Sequence, residues 1–221
     1  MSRLGRLLGE LDRNRLPIHV TPIVREMIET IAAQLSPPKR QLWLSLLSPA
    51  VADRALPRLG PAMRQIEGLL RNTVNATIVR GGEKVNVIPS QIELELDGRL
   101  LPGFAPDDLM AELRSVVGDD VELELLRHDP GPAEADLTHF DMLAGVLREL
   151  DPEGVPMPLL QVGVTDARFF AQLGIQTYGF MPMRLADDFP VLEIVHAADE
   201  RIPVDALDFG TEAVSRALQR F

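Results

Sequence analysis

The sequence predicts an α/β (α+β) chain in two domains, and three patterns carry that prediction. Ile92, Leu94 and Leu96 alternate with Glu93, Glu95 and Asp97, the period-2 signature of a half-buried antiparallel strand. A helical pattern over 106–117 is followed by a second alternation, Val121-Glu122-Leu123-Glu124-Leu125. Beyond a turn-rich stretch from His128 to Pro132, helical stripes alternate with short apolar runs. With a strand over 73–79, the first half reads helix, strand, strand, helix, strand. With one further strand upstream, that order is a split βαβ, ferredoxin-like sandwich. The predicted domains are 1–130, with a helical insertion at about 17–70, and 131–221, an α/β region.

Taken in order, residues 1–16 read as a helix, with Leu4, Leu7, Leu8 and Leu11 on one stripe and Pro17 ending it. The pattern starts in mid-helix with no cap before it, as a cut chain would. Pro22 opens a second helix through Leu35, with Ile23, Met27, Ile28 and Ile31 inward. Pro37-Pro38, Pro49 and Pro57 break the next stretch into short pieces, in which Trp43, Leu44, Leu46 and Leu47 are expected in the core. His19, between Pro17 and Pro22, reads as a loop histidine. Gly81-Gly82 permits a turn of positive φ after the 73–79 strand. Pro106-Asp107-Asp108 opens the 106–117 helix, its carboxylates at the positive end of the dipole, and Gly118 stops it.

The second half predicts a helix from about Asp136 to Leu150, with Phe140, Leu143, Val146, Leu147 and Leu150 inward. A buried strand at 158–162, a short helix from Asp166 to Leu173 closed by Gly174, strands at 175–180 and 191–195, and a final helix opened by Pro203 follow.

Composition narrows the function. Of the 221 residues 46% are hydrophobic, enough for a packed core. A net charge of −11 argues against sequence-independent binding to nucleic acid or to an anionic membrane. There is no cysteine, so a metal would need His, Asp or Glu. No apolar run is long enough to span a bilayer, and the amino terminus shows no apolar signal core. A cytoplasmic location is the expectation.

The candidate site residues lie where strands end. Asn86 and Arg99 flank the first alternation; by residue type alone they are a polar turn residue and a surface arginine, or side chains handed to a cleft. Gly163-Val164-Thr165-Asp166 lies between a strand and a helix, where free N–H groups and a helix dipole suit an anionic ligand, or where Asp166 simply caps the helix. His196 follows Val191–Val195 with Glu193, Asp199 and Glu200 near in sequence; it is a surface histidine or a metal ligand with a supporting carboxylate.

Three motifs in order turn these alternatives. Asn86-Val87-Ile88-Pro89 with Asp97-x-Arg99 and Pro102-Gly103, then Gly163-Val164-Thr165-Asp166-Ala167-Arg168-Phe169-Phe170 and Gly174–Phe180, then His196 to Arg201 resemble the zinc metallopeptidase family of aminoacylase, acetylornithine deacetylase, succinyl-diaminopimelate desuccinylase and carboxypeptidase G. The resemblance runs from about Arg71 to the end. It implies the lid, or dimerisation, domain followed by the carboxy-terminal part of an α/β zinc-hydrolase catalytic domain. The implied activity is hydrolysis of amide bonds in peptides or N-acyl amino acids, with two zinc ions in the complete enzyme and a homodimer through the lid. Asn86, Arg99, Gly163 and Thr165 become substrate contacts and His196 a zinc ligand. Val164 stands where the family often has a second glycine. The loop around Glu200 and Arg201 is expected to be held by a salt bridge between them.

The family's amino-terminal metal motif, its bridging Asp, its Glu-Glu general base and its lid histidine have no counterpart here. There is no Glu-Glu dipeptide. His139-Phe140-Asp141 has His-x-Asp spacing but falls inside a predicted amphipathic helix, so His139 reads as surface helix. The expectation is a chain without its catalytic base, inactive alone; a non-catalytic dimerisation or binding module is the alternative.

Overall fold

The computed structural model describes residues 1–60, 67–132, 134–161 and 163–221, without the side chain of Leu192. Residues 61–66 of the predicted helical insertion and Val162 of the predicted 158–162 strand lie outside the described residues. The chain divides into two compact units, one of Met1–Ala135 with Leu159–Ile175, the other of Asp136–Pro158 with Gln176–Phe221.

In the first unit α1 (Ser2–Arg13) and α2 (Pro22–Ala33) follow the predicted stripes. α2 has its proline in the first turn, where the missing N–H is no loss, and buries Ile23, Val24, Met27 and Ile28. Two short helices follow, α3 (Lys39–Leu44) and α4 (Pro49–Ala55). Leu46 is buried here and Trp43 half-buried, but Leu44 is exposed, contrary to the sequence reading. It closes α3 on the face away from Leu46.

The hairpin is built from β1 (Thr73–Arg80) and β2 (Glu93–Arg99), paired antiparallel from Thr73 opposite Arg99 to Arg80 opposite Glu93. The register slips between Ala76 and Ile78, where Thr77 bulges and donates its hydroxyl to the Glu95 carbonyl at 3.3 Å. Gly82 takes φ +80° in the connection, as its position requires. α5 (Pro106–Val117) follows, its Asp108 Oδ2 accepting the Ala105 N–H at 2.8 Å and Gly118 ending it at φ +76°. Gly98 lets α5 lie close to β2; a Cβ there would sit 2.7 Å from Leu109 Cδ2. The unit is therefore α+β, as predicted, with one difference. The 121–126 segment forms no strand among the described residues; the Arg114 guanidinium holds the chain leading into it, donating to the carbonyls of Gly118 and Val121. α7 (Ala167–Gln172) also belongs to this unit.

In the second unit α6 (Phe140–Leu150) starts four residues later than the sequence suggests. Asp136 is held outside it in a local turn, accepting the Thr138 N–H at 2.8 Å as well as its hydroxyl. α6 packs on α9 (Val204–Leu218) through Leu143, Val146, Ala213 and Ala217, flanked by Tyr178 and Phe180. The bulky residues of the last helix, Val204, Leu207 and Leu218, are exposed, and its alanines are the buried face. Small residues there let the two helices approach. The segments read as strands at 158–161 and 175–180 have no ladder partner among the described residues, and 191–194 folds as a short helix, α8 (Val191–Ile194). A short apolar run does not by period distinguish strand from helix. No described helix is long and apolar enough to cross a membrane.

Candidate functional site

Arg99 closes β2 at the open end of the hairpin. Residues two apart on a strand share a face. Arg99 Nε accordingly lies 3.1 Å from Asp97 Oδ2, both side chains about half exposed. A guanidinium offers five donors in a planar fork that matches the two oxygens of a carboxylate, and Asp97 is one such partner.

Asn86 stands elsewhere. It is exposed in the connection between the strands, where residues 81–89 and Met1 line an open concavity of about 560 Å³. A Cβ at Gly81 would press on Ile92 Cγ1 at 3.0 Å, a tight contact against a side chain. The seven-residue strand β2 separates this end of the hairpin from Arg99, about 20 Å at the usual strand rise. The structure thus does not bring together the two residues that the sequence pairs by spacing.

Gly163 and Thr165 are exposed ahead of α7. Thr165 Oγ1 accepts the Ala167 N–H at 3.3 Å, so the hydroxyl caps the helix, and Asp166 makes no side-chain cap. Arg168 in the same motif reaches Asp129 Oδ2 at 3.3 Å and lies over the Phe169 ring at 4.6 Å.

His196, in the second unit, is exposed after α8 with φ +62°, the non-glycine residue of positive φ among those described. Arg201 pairs with Asp199, not with Glu200 as the sequence suggested; its Nη1 also reaches the Asp199 carbonyl at 3.0 Å, a grip that two residues of separation permit. Among the described residues no three His, Asp or Glu side chains are grouped to hold a metal ion. Catalytic zinc takes about three protein ligands and a water. His196 supplies one imidazole, so the described residues do not make that site. His139 caps α6 rather than lying within it; its N–H donates to Tyr178 Oη at 3.0 Å, and Tyr178 in turn donates to the Asp136 carbonyl at 2.6 Å. The hydroxyl and N–H of Thr138 hold the Asp136 carboxyl below its ordinary value.

Sequence reasoning missed the buried polar residues of the first unit. Asn72 is fully buried and bonds Leu101 and Glu112, and Glu112 meets His19 Nε2 at 2.6 Å. Arg71 is 3% exposed. The one signal was position: two polar residues directly between buried Leu69-Leu70 and the start of a strand.

A model of the peptidase dimerisation domain matches residues 1–122. Among curated proteins, the chain is 26% identical over 208 residues to a probable carboxypeptidase S-like 2 of Dictyostelium discoideum, covering 91% of this chain and 38% of that one. It is 27% identical over 158 residues to the human N-fatty-acyl-amino acid synthase/hydrolase PM20D1, covering 68% and 31%. It is 25% identical over 192 residues to the succinyl-diaminopimelate desuccinylase of Magnetococcus marinus, covering 78% and 46%. The chain thus spans between about a third and a half of the length of these relatives. No solved structure matches it.

Proposed function

The chain belongs to the M20 peptidase family through its dimerisation domain, and from that premise we propose that it is the pairing and substrate-holding part of an amide-bond hydrolase. Peptides and N-acyl amino acids are the proposed substrates, in keeping with relatives named as a carboxypeptidase, a desuccinylase and an N-fatty-acyl-amino acid hydrolase. The observation that carries the reading is the match over 1–122, the stretch that holds both strands of the hairpin and α5.

In this reading a second copy of the chain pairs with the hairpin and α5. Ile78 and Val79 on β1 are 41% and 51% exposed, apolar surface on a strand whose outer edge has no ladder partner among the described residues. Arg99 holds the substrate carboxylate through paired N–H donors, Gly163 and Thr165 line the approach, and Asn86 contacts substrate separately from the connecting end of the hairpin. M20 enzymes are generally metal-dependent; zinc is the expected ion, with His196 as one ligand, and the chain by itself does not hydrolyse.

The test is sedimentation of the purified chain at micromolar concentration, beside an assay on N-acyl amino acids and dipeptides with and without zinc. A dimer without turnover is expected. A monomer, or zinc-dependent turnover lost in His196→Ala, would overturn the reading.

A further inference from the structure

Asn72 sits one residue before β1 and is 0% exposed. Its two amide atoms point two ways. Oδ1 accepts the Leu101 N–H at 2.9 Å, and Nδ2 donates to Glu112 Oε2 at 3.2 Å. The other oxygen of Glu112 meets His19 Nε2 at 2.6 Å. His19 is itself fixed: its backbone N–H donates to the Leu70 carbonyl at 2.6 Å, and its ring lies 4.3 Å from that of Phe104. Both side chains of the pair are largely buried, at 24% and 13% exposure.

This chain of bonds encloses the open end of the hairpin. Thr73, next to Asn72, is the ladder partner of Arg99, and Leu101 lies two residues beyond Arg99. The backbone of Arg99 is therefore pinned on one side by the Thr73 rung and on the other by the Leu101 N–H on Asn72. Asn72 keeps that geometry only while Glu112 holds its amide, and Glu112 is oriented by His19. A half-satisfied network at this depth would be costly, so the three act together.

We propose that Asn72, Glu112 and His19 are positioning residues for Arg99, aiming its guanidinium at a ligand carboxylate. The proposal rests on the reading of Arg99 given above. None of the three touches the carboxylate; they act through β2. The polar triad links the segment before α2, the start of β1 and α5 to Arg99 at the strand end.

Substitutions at Glu112 separate positioning from bulk stability. Glu112→Ala removes both acceptors. Glu112→Gln restores both contacts with one acceptor and one donor, because its Oε1 accepts from Asn72 while its Nε2 donates to His19 Nε2 in the other tautomer. His19→Phe keeps the ring against Phe104 and removes only the bond, a second route should Glu112→Ala not fold.

The experiment uses the full chain labelled with ¹⁵N, reading the Arg99 Nε–Hε resonance and titrating N-acetylglycine, with N-acetylglycinamide as the probe lacking a carboxylate. The expected result is an Arg99 resonance displaced in Glu112→Ala and His19→Phe, returned by Glu112→Gln, with N-acetylglycine affinity falling about tenfold in the first two and unchanged in the third. An Arg99 resonance that stays put in both disrupting variants, with N-acetylglycine still bound, overturns the positioning. No response of Arg99 to N-acetylglycine in the parent chain overturns instead the carboxylate reading on which it rests.

Discussion

Arg71 Nη2 lies 2.6 Å from Asp53 Oδ1, and the two partners differ in burial: the arginine is 3% exposed and the aspartate 61%. The same guanidinium donates Nη1 to the Leu16 carbonyl at 2.5 Å, and its Nε lies 3.3 Å from Glu67 Oε1, an ion-pair distance without hydrogen-bond geometry. One buried cation thus joins α4 to the segments before α2 and β1. Removing the two partners has unequal consequences. Arg71→Ala strips the donor from a buried carbonyl and leaves a void, at about 3 kcal/mol. Asp53→Ala removes a carboxylate that water already solvates, at about 1 kcal/mol or less. Urea unfolding of both variants checks the order; equal losses would show that the aspartate, not the burial of the arginine, holds the junction.

Glycine substitutions separate helix propensity from packing. In exposed α1, a Cβ at Gly5 meets nothing, so Gly5→Ala is expected to stabilise by about 0.5–1 kcal/mol. Gly210 is also helical, in α9, but its Cβ would lie 2.6 Å from the Pro182 carbonyl oxygen, a backbone atom. Gly210→Ala should therefore destabilise, by about 1–3 kcal/mol. Thermal melts that raise the midpoint for both would mean the Pro182 segment yields.

The helices were legible because their information is local. Pro22, Pro106, Gly118 and the apolar stripes mark ends and faces within one turn of where they act. The paired strands were legible as elements but not as a register. Thirteen positions separate Asn86 from Arg99 in sequence, and nothing in that spacing says that one lies in the connection and the other opposite Thr73. A strand exists only through a partner, which is why the alternation at 121–125 marks faces without making a ladder. The Asn72–Glu112–His19 chain was invisible for the same reason. It joins residues 93 and 40 positions apart, and no short motif encodes their meeting.

Asp136 gives a pH-dependent outcome. Its carboxyl titrates below the ordinary range because the Thr138 hydroxyl and then the Thr138 N–H donate to the charged form. A depressed folded-state value means a stabilising contribution present above the unfolded carboxyl's value and lost as pH falls through the folded one. Thr138→Val removes the hydroxyl and keeps the N–H, so the Asp136 value should rise part of the way back. A ¹³C titration of the Asp136 carboxyl reads this directly, and an unchanged value would assign the whole shift to the backbone donor.

His196 sits at φ +62°, a region open to glycine at no steric cost and disfavoured for a side chain. If only the turn mattered, glycine would serve it better. His196→Gly is expected to leave stability equal or raise it by about 1 kcal/mol, and His196→Val, branched at Cβ, to lower it by about 1–2 kcal/mol. Strain kept at an exposed imidazole points to the ring, not the backbone, as the reason for the residue. Calorimetry then divides the two uses. The parent chain should bind zinc weakly, as one imidazole does, and His196→Gly should lose that heat while its melting midpoint holds. Tight, stoichiometric zinc in the parent would mean that further ligands gather around His196. Zinc heat unchanged in His196→Gly would place the binding elsewhere and leave the left-handed turn as the residue's whole role.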